Sequence, residues 1–256
     1  MARGCCQSRR VTHRCVRVPD SPRYAEAIAD VLSSPRESLG GPFLHVIPVS
    51  SVGISFLGEP FGRETVAATD DAALRFDEAQ IDLGEGPGWD AMRSARPVLE
   101  IDLADHGLSL WPLWTGVALA AKLGAVFAFP LRVGTLALGA VNLYSRVRRD
   151  LTTEQVTAAS TLAGAAAVRL LRIALEDIDS NELASPTAGY SRREMHQAAG
   201  MVSVQGDMSV GDALVALRAH AFVAGVSAAA LSRRVVDRDV VFDPGLSEWR
   251  DQRGHQ

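Results

Sequence analysis

The spacing of apolar residues along the first part of the chain predicts one helix and then two strands. Over residues 21–38, apolar side chains recur at intervals of three and four, as one buried face of a helix requires. Residues 46–57 are rich in β-branched side chains, and a Gly-Glu-Pro turn separates them from a second extended run at 64–69. The pattern therefore predicts a helix followed by two strands around a turn.

The middle of the chain alternates short helices with loops and ends in a hairpin signal. Residues 126–133 and 136–144 are two apolar runs separated only by Gly134 and Thr135, which is typical of a tight β-hairpin. Before them, the pattern predicts helices at 71–80, 89–95 and 117–123, a strand at 97–101, a loop at 83–88 and irregular structure at 103–114. This order favours an α+β fold in which an antiparallel sheet is flanked by helices.

A long helix with two apolar sides follows this domain. The stretch Thr152-Thr153-Glu154-Gln155 offers a hydroxyl cap with an acidic or amide residue soon after it. One apolar row runs from Val156 to Ile173 and a second from Val168 to Ile178. One side can cover the sheet while the other pairs with a second subunit, as short heptad-like rows do. We expect a homodimer; the alternative is that both rows are buried within one domain.

Three short helices with capping signals are predicted after a linker at 181–189. Ser191 and Glu194 fit the capping-box pattern, Ser209 is the hydroxyl cap of a second helix, and Ser227 caps a third after the break at Gly225. The apolar residues expected to face inward are Met195, Ala198, Val202, Ala213, Leu214, Leu217, Ala221, Leu231 and Val235. The sequence thus predicts a C-terminal three-helix bundle at 190–240 and a tail at 241–256.

Charge is distributed unevenly along the 256 residues. Residues 1–18 carry five Arg and no acid, whereas residues 19–189 carry 13 basic against 22 acidic residues. An acidic central domain repels a phosphate backbone, so any nucleic-acid contact must come from one of the ends of the chain. With 47% hydrophobic and 22% charged residues, the composition is that of a folded globular protein.

The cysteines and the apolar stretches bound the location and the chemistry. Cys5, Cys6 and Cys15 all lie in the first fifteen residues, so no disulfide framework is expected, which suits the cytoplasm. Together with His13 they lack the paired spacing of a structural zinc site, and we expect no metal and no cofactor. Residues 1–20 are expected to be a disordered basic tail rather than a signal peptide. The longest apolar stretch, 116–131, is too short for a membrane span.

Several motifs, in order, resemble the GAF domains of bacterial signalling proteins. They are Leu83-Gly84-Glu85-Gly86-Pro87, Ala91, Pro97-Val98-Leu99, Asp102-Leu103, Trp111-Pro112, Phe129-Pro130-Leu131 and Leu138-Gly139-Ala140-Val141-Asn142-Leu143-Tyr144. The resemblance covers about residues 22–172 and implies a sensor domain at 21–150 with the long helix at 151–180 as its connector. It also implies a ligand pocket over the sheet, to which Trp89, Trp111, Trp114 and Phe129 are candidate contributors. At Gly88 many relatives carry a cysteine.

The C-terminal helices resemble the ANTAR family, which binds paired RNA hairpins and prevents transcription termination. The motifs are Gln197-Ala198-Ala199-Gly200-Met201, residues 209–213, Leu217-Arg218, Ala221 and Leu231-Ser232-Arg233-Arg234-Val235-Val236. The family usually has Lys at the position of Ala199 and Ala at the position of Ser232. GAF followed by ANTAR is a familiar pairing, and it implies a nascent-transcript hairpin as the RNA partner and an unidentified signal at the sensor.

Arginine and glutamine supply the candidate RNA contacts, because arginine stacks on bases and binds phosphates and glutamine reads base edges. These residues are Arg192, Arg193, Gln197, Arg218, Arg233 and Arg234. Solvation of a helix face is the ordinary alternative for each of them. His196 and His220 are expected to be packing or surface residues.

The sequence favours a regulator over an enzyme. It contains no G-x-x-x-x-G-K, G-x-S-x-G or H-E-x-x-H motif, and Gly84-Glu85-Gly86-Pro87-Gly88 lacks the Lys and Ser/Thr of a phosphate loop. We therefore predict no catalytic residues and a signal-responsive antitermination regulator. The alternatives are a dimeric sensor whose C-terminal module has lost RNA binding and a DNA-binding factor. For the latter, Ala228-Ala229-Ala230 at the start of the third helix offers little that can read bases.

Overall fold

A five-stranded antiparallel sheet forms the centre of the N-terminal part of the protein. The computed structural model describes residues 22–58, 61–179, 188–243 and 248–251, with the side chains of 177–193 and of Glu248 outside the description. The strands are β1 (Ser51–Gly58), β2 (Gly62–Ala68), β3 (Val98–Glu100), β4 (Ala125–Val133) and β5 (Leu136–Ser145). They lie in the order β2-β1-β5-β4-β3. The antiparallel sheet expected from the sequence is confirmed, whereas the predicted tail at 1–20 and most of the predicted linker at 181–189 lie outside the described residues.

The predicted hairpin connects β4 and β5. Val133 pairs with Leu136 across Gly134, whose φ of 60° belongs to the left-handed region that favours glycine. The chain enters the sheet through α1 (Pro22–Ser33) and α2 (Gly41–Val46), and only the first of these helices was predicted. A short 3₁₀ turn at Arg36–Ser38 joins the two helices.

One face of the sheet is covered by α1, α2 and the long helix α7 (Thr153–Asp179). The amide of Gln155 donates to Thr152 Oγ1 and the amide of Thr152 to Gln155 Oε1, so the predicted cap of α7 is a complete capping box. The helix packs through small residues such as Ala159, Ala163 and Ala166, which are buried against the sheet and α1. Val168 and Leu175 of the second apolar row are exposed.

In the described part of the chain, one helix meets the length and composition of a membrane span, and a second segment does so only if a bent pair of helices is counted as one span. The first is Thr153–Glu176 of α7, of which 39% is buried within the protein. The second is a pair of helices, Val210–Ala224 and Ala228–Val236, with a bend of 111° between them. For α7, packing against the sheet accounts for the apolar composition.

The opposite face of the sheet carries α3 (Asp71–Leu83), α4 (Pro87–Ser94) and α6 (Pro112–Ala120), with a single turn, α5 (Leu108–Leu110), after a π-type turn at Leu103–Gly107. The helix predicted at 117–123 corresponds to α6, which begins earlier, at Pro112. Proline is favourable in the first turn of a helix, where its missing amide proton has no acceptor to lose. Asp70 caps α3 by accepting from the amide of Ala73 at 2.7 Å. The core on this face is aromatic and includes Phe76, Trp111, Trp114 and Tyr144.

Three helices, α8 (Ala188–Gly206), α9 (Val210–Ala224) and α10 (Ala228–Val236), share a separate hydrophobic cluster. The predicted start of the first helix at Ser191 is wrong, because α8 already begins at Ala188. The Oγ atoms of Ser209 and Ser227 accept from the amides of Asp212 and Ala230, so both of those predicted caps are confirmed. Gly225 ends α9 in the left-handed conformation, with φ of 66°.

A two-stranded hairpin follows these helices, in the segment for which the sequence predicts only a tail. Its strands are β6 (Val240–Asp243) and β7 (Glu248–Asp251), which pair antiparallel. Trp249 stacks on His220 of α9 with ring centroids 4.8 Å apart, and Phe242 contacts Trp249 edge to face. Strands of four residues are too short for a period-two pattern to be recognised, which is why the sequence did not indicate them.

Candidate functional site

Five buried polar side chains lie between α3 and the sheet. We call them the polar cluster: Ser55 on β1, Asp77 and Gln80 on α3, and Asn142 and Tyr144 on β5. The other residues on this face of α3 and of the two strands are apolar, so packing α3 against the sheet buries the polar groups as well. Burying such groups is costly unless they bond one another, and here they do.

Asp77 is the centre of the cluster. Its carboxylate accepts from Ser55 Oγ at 2.5 Å, from Asn142 Nδ2 at 3.0 Å and from the hydroxyl of Tyr144. Burial raises the pKa of Asp77 to about 6, although these three hydrogen bonds act in the opposite direction. Burial together with the neighbouring Asp77 raises the pKa of Tyr144 well above its ordinary value. Asp77 is thus a buried carboxyl whose surroundings favour its protonated form.

Gln80 connects the cluster to the loop before α4. Its Nε2 donates to Tyr144 Oη at 3.0 Å, its Oε1 accepts from the amide of Gly88 at 2.8 Å, and its carbonyl accepts from Trp89 Nε1 at 2.7 Å. Asn142 Oδ1 is buried and accepts no hydrogen bond among the described residues. The cluster therefore joins two strands, α3 and α4 through a nearly complete set of hydrogen bonds.

Two glycines make room for the cluster. A Cβ atom at Gly53 would lie 2.6 Å from the carboxyl atoms of Asp77. A Cβ at Gly88 would lie 2.9 Å from Asn142 Oδ1 and 3.1 Å from Gln80 Oε1. A side chain at this position, such as the cysteine of many proteins that the sequence resembles, would require these amides to shift.

The four aromatic residues predicted to line a pocket do not form one group. Trp89, Trp111 and Trp114 lie on the α3 side of the sheet, whereas Phe129 lies on the α7 side. Phe129 therefore cannot share one lining with the three tryptophans, because both faces of β4 are covered and alternate residues enter different cores. The indole nitrogens donate to Gln80 O, Asp90 Oδ2 and Phe76 O. The three rings are thus hydrogen-bonded core residues.

The Gly-Glu-Gly-Pro loop is a structural turn, as the sequence indicated. Gly84 has φ of 68° and ends α3, and Gly86 has φ of 134° before Pro87 starts α4. Glu85 Oε1 accepts from the amides of Leu113 and Trp114 at 2.7 and 2.8 Å and so caps α6 from a distant part of the chain. The carboxylate lies at the positive end of that helix.

The predicted RNA-contacting residues are distributed over several surfaces. The side chains of Arg192 and Arg193 lie outside the described ones, and Gln197 is exposed on α8. Arg218 is half-buried where α9 faces α3, and its Nε has no hydrogen-bond partner among the described residues. Arg233 pairs with Glu194 at 3.4 Å, and Arg234 pairs with Asp251.

The two positions where the sequence departs from the ANTAR pattern are both in the core of the C-terminal helices. Ala199 and Ser232 are fully buried, and the Ser232 hydroxyl has no hydrogen-bond partner among the described residues. A lysine at position 199 would have to extend its chain out of this core to reach water. In this packing the missing lysine is a difference in the core rather than the loss of a surface cation.

The second candidate region is a contact between α3 and the turn from α9 to α10. The amide of Ala228 donates to Asp82 Oδ2 at 3.0 Å, and Glu78 lies close enough to the Ser227 side chain for this hydroxyl to lower its pKa, against the larger effect of burial. Burial raises the pKa of both Glu78 and Asp82. A cavity of about 160 Å³ lies beside this contact, with Val117 and Phe222 among the apolar residues of its wall. Helix α3 thus touches the polar cluster on one side and the C-terminal helices on the other.

Sequence reasoning identified neither the polar cluster nor this contact. Asp77 and Asn142 are 65 residues apart, and Ala228 and Asp82 are 146 residues apart, so no local spacing relates them. Asn142 does lie within a motif singled out in the sequence, but nothing there indicated its partner. In the described part of the chain, no group of three or more His, Cys, Asp or Glu side chains is placed to hold a metal ion. Cys5, Cys6, Cys15 and His13 lie outside the described residues.

Comparisons with known proteins concern the sheet and its helices. The GAF domain of a phosphoenolpyruvate-protein phosphotransferase from Acinetobacter aligns with a TM-score of 0.47 and 10% identity, covering 60% of this chain and 93% of that one. The corresponding domain from Coxiella burnetii aligns with a TM-score of 0.47 and 12% identity, covering 61% and 95%. No curated protein matches the chain. The family model for the GAF domain matches residues 44–170, and this part of the protein is therefore a GAF domain.

Proposed function

We propose that the protein is a signal-responsive transcription antitermination regulator that binds RNA hairpins through α8, α9 and α10. The GAF domain makes it a protein with a signal-sensing domain. One observation carries the step to RNA: the apolar residues that give the C-terminal helices their resemblance to the ANTAR family converge in one core. They include Ala198, Ala213, Leu217, Ala221, Leu231 and Val235, all of them buried.

The chemistry of the outer surface supports an RNA ligand. Hairpin loops present unstacked bases and phosphates, which arginine and glutamine bind by stacking and hydrogen bonding. Gln197 is exposed on α8, and Arg233 and Arg234 lie on α10 with exposed guanidinium groups. The two arginines at positions 192 and 193 lie one turn before Gln197 on the same helix. We propose that this helix carries the main RNA contacts.

In this proposal the protein is a dimer, and the signal shifts the populations of two arrangements of its paired α7 helices. The exposed Val168 and Leu175 on α7 are seven residues apart, as in a heptad seam between two copies of the helix. A signal at the GAF domain would change this pairing and thereby the spacing of two C-terminal units. No catalytic step is part of this proposal.

One observation favours a second candidate, a dimeric sensor whose C-terminal helices have lost RNA binding. The arginines expected to contact RNA do not share a face, since Arg218 is directed at α3 and Arg234 at β7. A DNA-binding role gains no such support, because α10 begins with three alanines and its first amide is bonded to Asp82.

Binding of a tandem-hairpin RNA tests the proposal directly. We expect the wild-type protein to retard this RNA and Arg192→Ala/Arg193→Ala to lose about tenfold in affinity, with the salt slope reduced by roughly two. The matched control is Arg96→Ala/Arg146→Ala, which removes the same charge from exposed positions on the GAF domain and should bind like the wild type. Equally weak binding by all three proteins at every salt concentration would refute RNA recognition and favour the second candidate.

A further inference from the structure

Helix α3 presents two carboxylates to the C-terminal helices. Glu78 and Asp82 are four residues apart and therefore share one face of α3. Asp82 Oδ2 accepts the amide of Ala228 at 3.0 Å, and Glu78 borders the same cavity as the Ser227 side chain. Both contacts lie at the junction where Gly225 ends α9 and Ser227 starts α10.

The junction is suited to an anion. Ala228 is the first residue of α10, so its amide has no acceptor within the helix and points along the positive end of the helix dipole. Arg218 of α9 lies close enough to Asp82 for its charge to lower the pKa of that carboxyl, against the larger effect of burial. Its Nε is buried without a partner among the described residues. A carboxylate of the GAF domain therefore occupies a position with one helix-terminal amide and one incompletely bonded guanidinium.

Two of the arginines predicted from the sequence to contact RNA border this same interface. Arg218 borders the cavity beside Asp82, and Arg233 borders a neighbouring groove of about 540 Å³ that contains Glu64 of β2 and Met195 of α8. Phosphates and carboxylates bind the same amide and guanidinium donors. While α3 is in place, the amide of Ala228 is bonded to Asp82 and is not open to a phosphate.

We infer that α3 is an intramolecular competitor of RNA: Glu78 and Asp82 occupy the α9–α10 junction and must leave it before the RNA backbone binds there. The inference rests on the proposed function and names its regulation. Because Asp77 and Gln80 fix the opposite side of α3 in the polar cluster, a signal that changes the packing of the GAF core also changes the position of the two carboxylates.

The test removes the two carboxylates in the full-length chain. Glu78→Ala/Asp82→Ala should bind tandem-hairpin RNA roughly tenfold more tightly than the wild type, because a competing charge-assisted contact is lost. The matched control is Glu26→Ala/Asp30→Ala, two exposed acids with the same four-residue spacing on α1, on the other side of the sheet. It removes the same charge and should leave the affinity within about twofold, which separates competition from general electrostatics.

A second measurement reports docking without RNA. Val117 lies on α6 in the wall of the cavity, and Val117→Cys places a thiol there without changing either carboxylate. In a background with Cys5, Cys6 and Cys15 changed to Ser, a maleimide dye should react about tenfold faster when α3 has released the C-terminal helices. The isosteric pair Glu78→Gln/Asp82→Asn serves as a second variant if the alanine pair is unstable in thermal unfolding.

The combined outcomes distinguish the possible failures. Faster labelling with tighter RNA binding supports the inference. Unchanged labelling means that the carboxylates do not hold the contact, and faster labelling with unchanged RNA affinity means that the contact does not compete with RNA; either result overturns it. Faster labelling with no RNA bound by any of the proteins overturns the proposed function and the competition together, while the docking stands.

Discussion

The ionisation of Asp77 should make the stability of the GAF domain depend on pH in a direction opposite to that of a salt-bridged carboxylate. Its pKa is about 6 in the folded protein, against 3.8 for an unperturbed aspartate. The unfolded chain therefore loses this proton at lower pH than the folded protein does. The stabilising contribution of the protonated group is fully present below pH 3.8 and is lost as the pH rises through 6.

The magnitude follows from the size of the shift. Each pKa unit corresponds to about 1.4 kcal/mol, so the total loss is about 3 kcal/mol, of which roughly half falls above pH 5. Asp77→Asn keeps the shape of the side chain and removes the ionisation. We expect the variant to gain stability relative to the wild type by about 1 to 2 kcal/mol between pH 5 and pH 7.5. Ser55 can accept a hydrogen bond from the new amide in place of donating one.

Urea unfolding followed by circular dichroism, at half-unit pH steps, measures this difference. Asp30→Asn, an exposed change of the same chemistry on α1, is the control and should show no growing difference from the wild type. Tyr144→Phe removes a hydrogen bond that lowers the pKa of Asp77, so the upper end of the transition should move to higher pH. A difference between Asp77→Asn and the wild type that stays constant or shrinks as the pH rises would refute the reasoning.

Three further predictions concern packing, capping and assembly. Gly53→Ala should lower the free energy of unfolding by about 2 kcal/mol or more, because its Cβ would meet Asp77. The control, Gly58→Ala, places its Cβ in open space and should change the free energy of unfolding little in the same urea assay. Equal effects of the two substitutions would contradict the close contact at Gly53. Glu85→Gln should lower the free energy of unfolding by about 1 kcal/mol, because it weakens the cap of α6. Thermal unfolding measures this effect against the control Glu37→Gln. An unchanged stability of Glu85→Gln would show that the charged cap is not needed. Val168→Glu/Leu175→Glu should shift a dimer to monomer in sedimentation. Arg96→Glu, an exposed position before β3, adds the same negative charge away from α7 and is the control. Unchanged assembly of the α7 variant would exclude this face of α7 as the interface.

The elements that local pattern specifies were predictable from the sequence. The β4–β5 hairpin, α1, the cap at Thr152 and the caps at Ser209 and Ser227 depend on residues within a few positions of one another. The start of α8 was misplaced, because Ser191 fits a capping pattern that the helix does not use. Capping signals favour a start without excluding an earlier one.

The sites depend on contacts between distant segments, for which local patterns offer less guidance. Periodicity does not settle whether a carboxylate on an amphipathic helix faces the core or water, and Asp77 was therefore indistinguishable from its neighbour Glu78, which lies outside the polar cluster. In β4, alternate residues face opposite sides of the sheet, so Val126 packs with the tryptophans and Phe129 does not. The apolar run of β4 shows no such alternation in the sequence, because both of its faces are buried. The competition at the α9–α10 junction has no local signal at all.

Both folded parts of the protein contain tryptophan, so both contribute to its intrinsic fluorescence. Trp89, Trp111 and Trp114 are in the GAF core, whereas Trp249 is stacked on His220 beside α9. Burial, together with the charge of Arg234, lowers the pKa of His220. A protonated imidazole quenches a stacked indole, so acidification should dim Trp249 only below the usual range of histidine. Emission from the wild type and from Trp249→Phe, recorded across pH, would follow the C-terminal helices and the sensor separately without any added label.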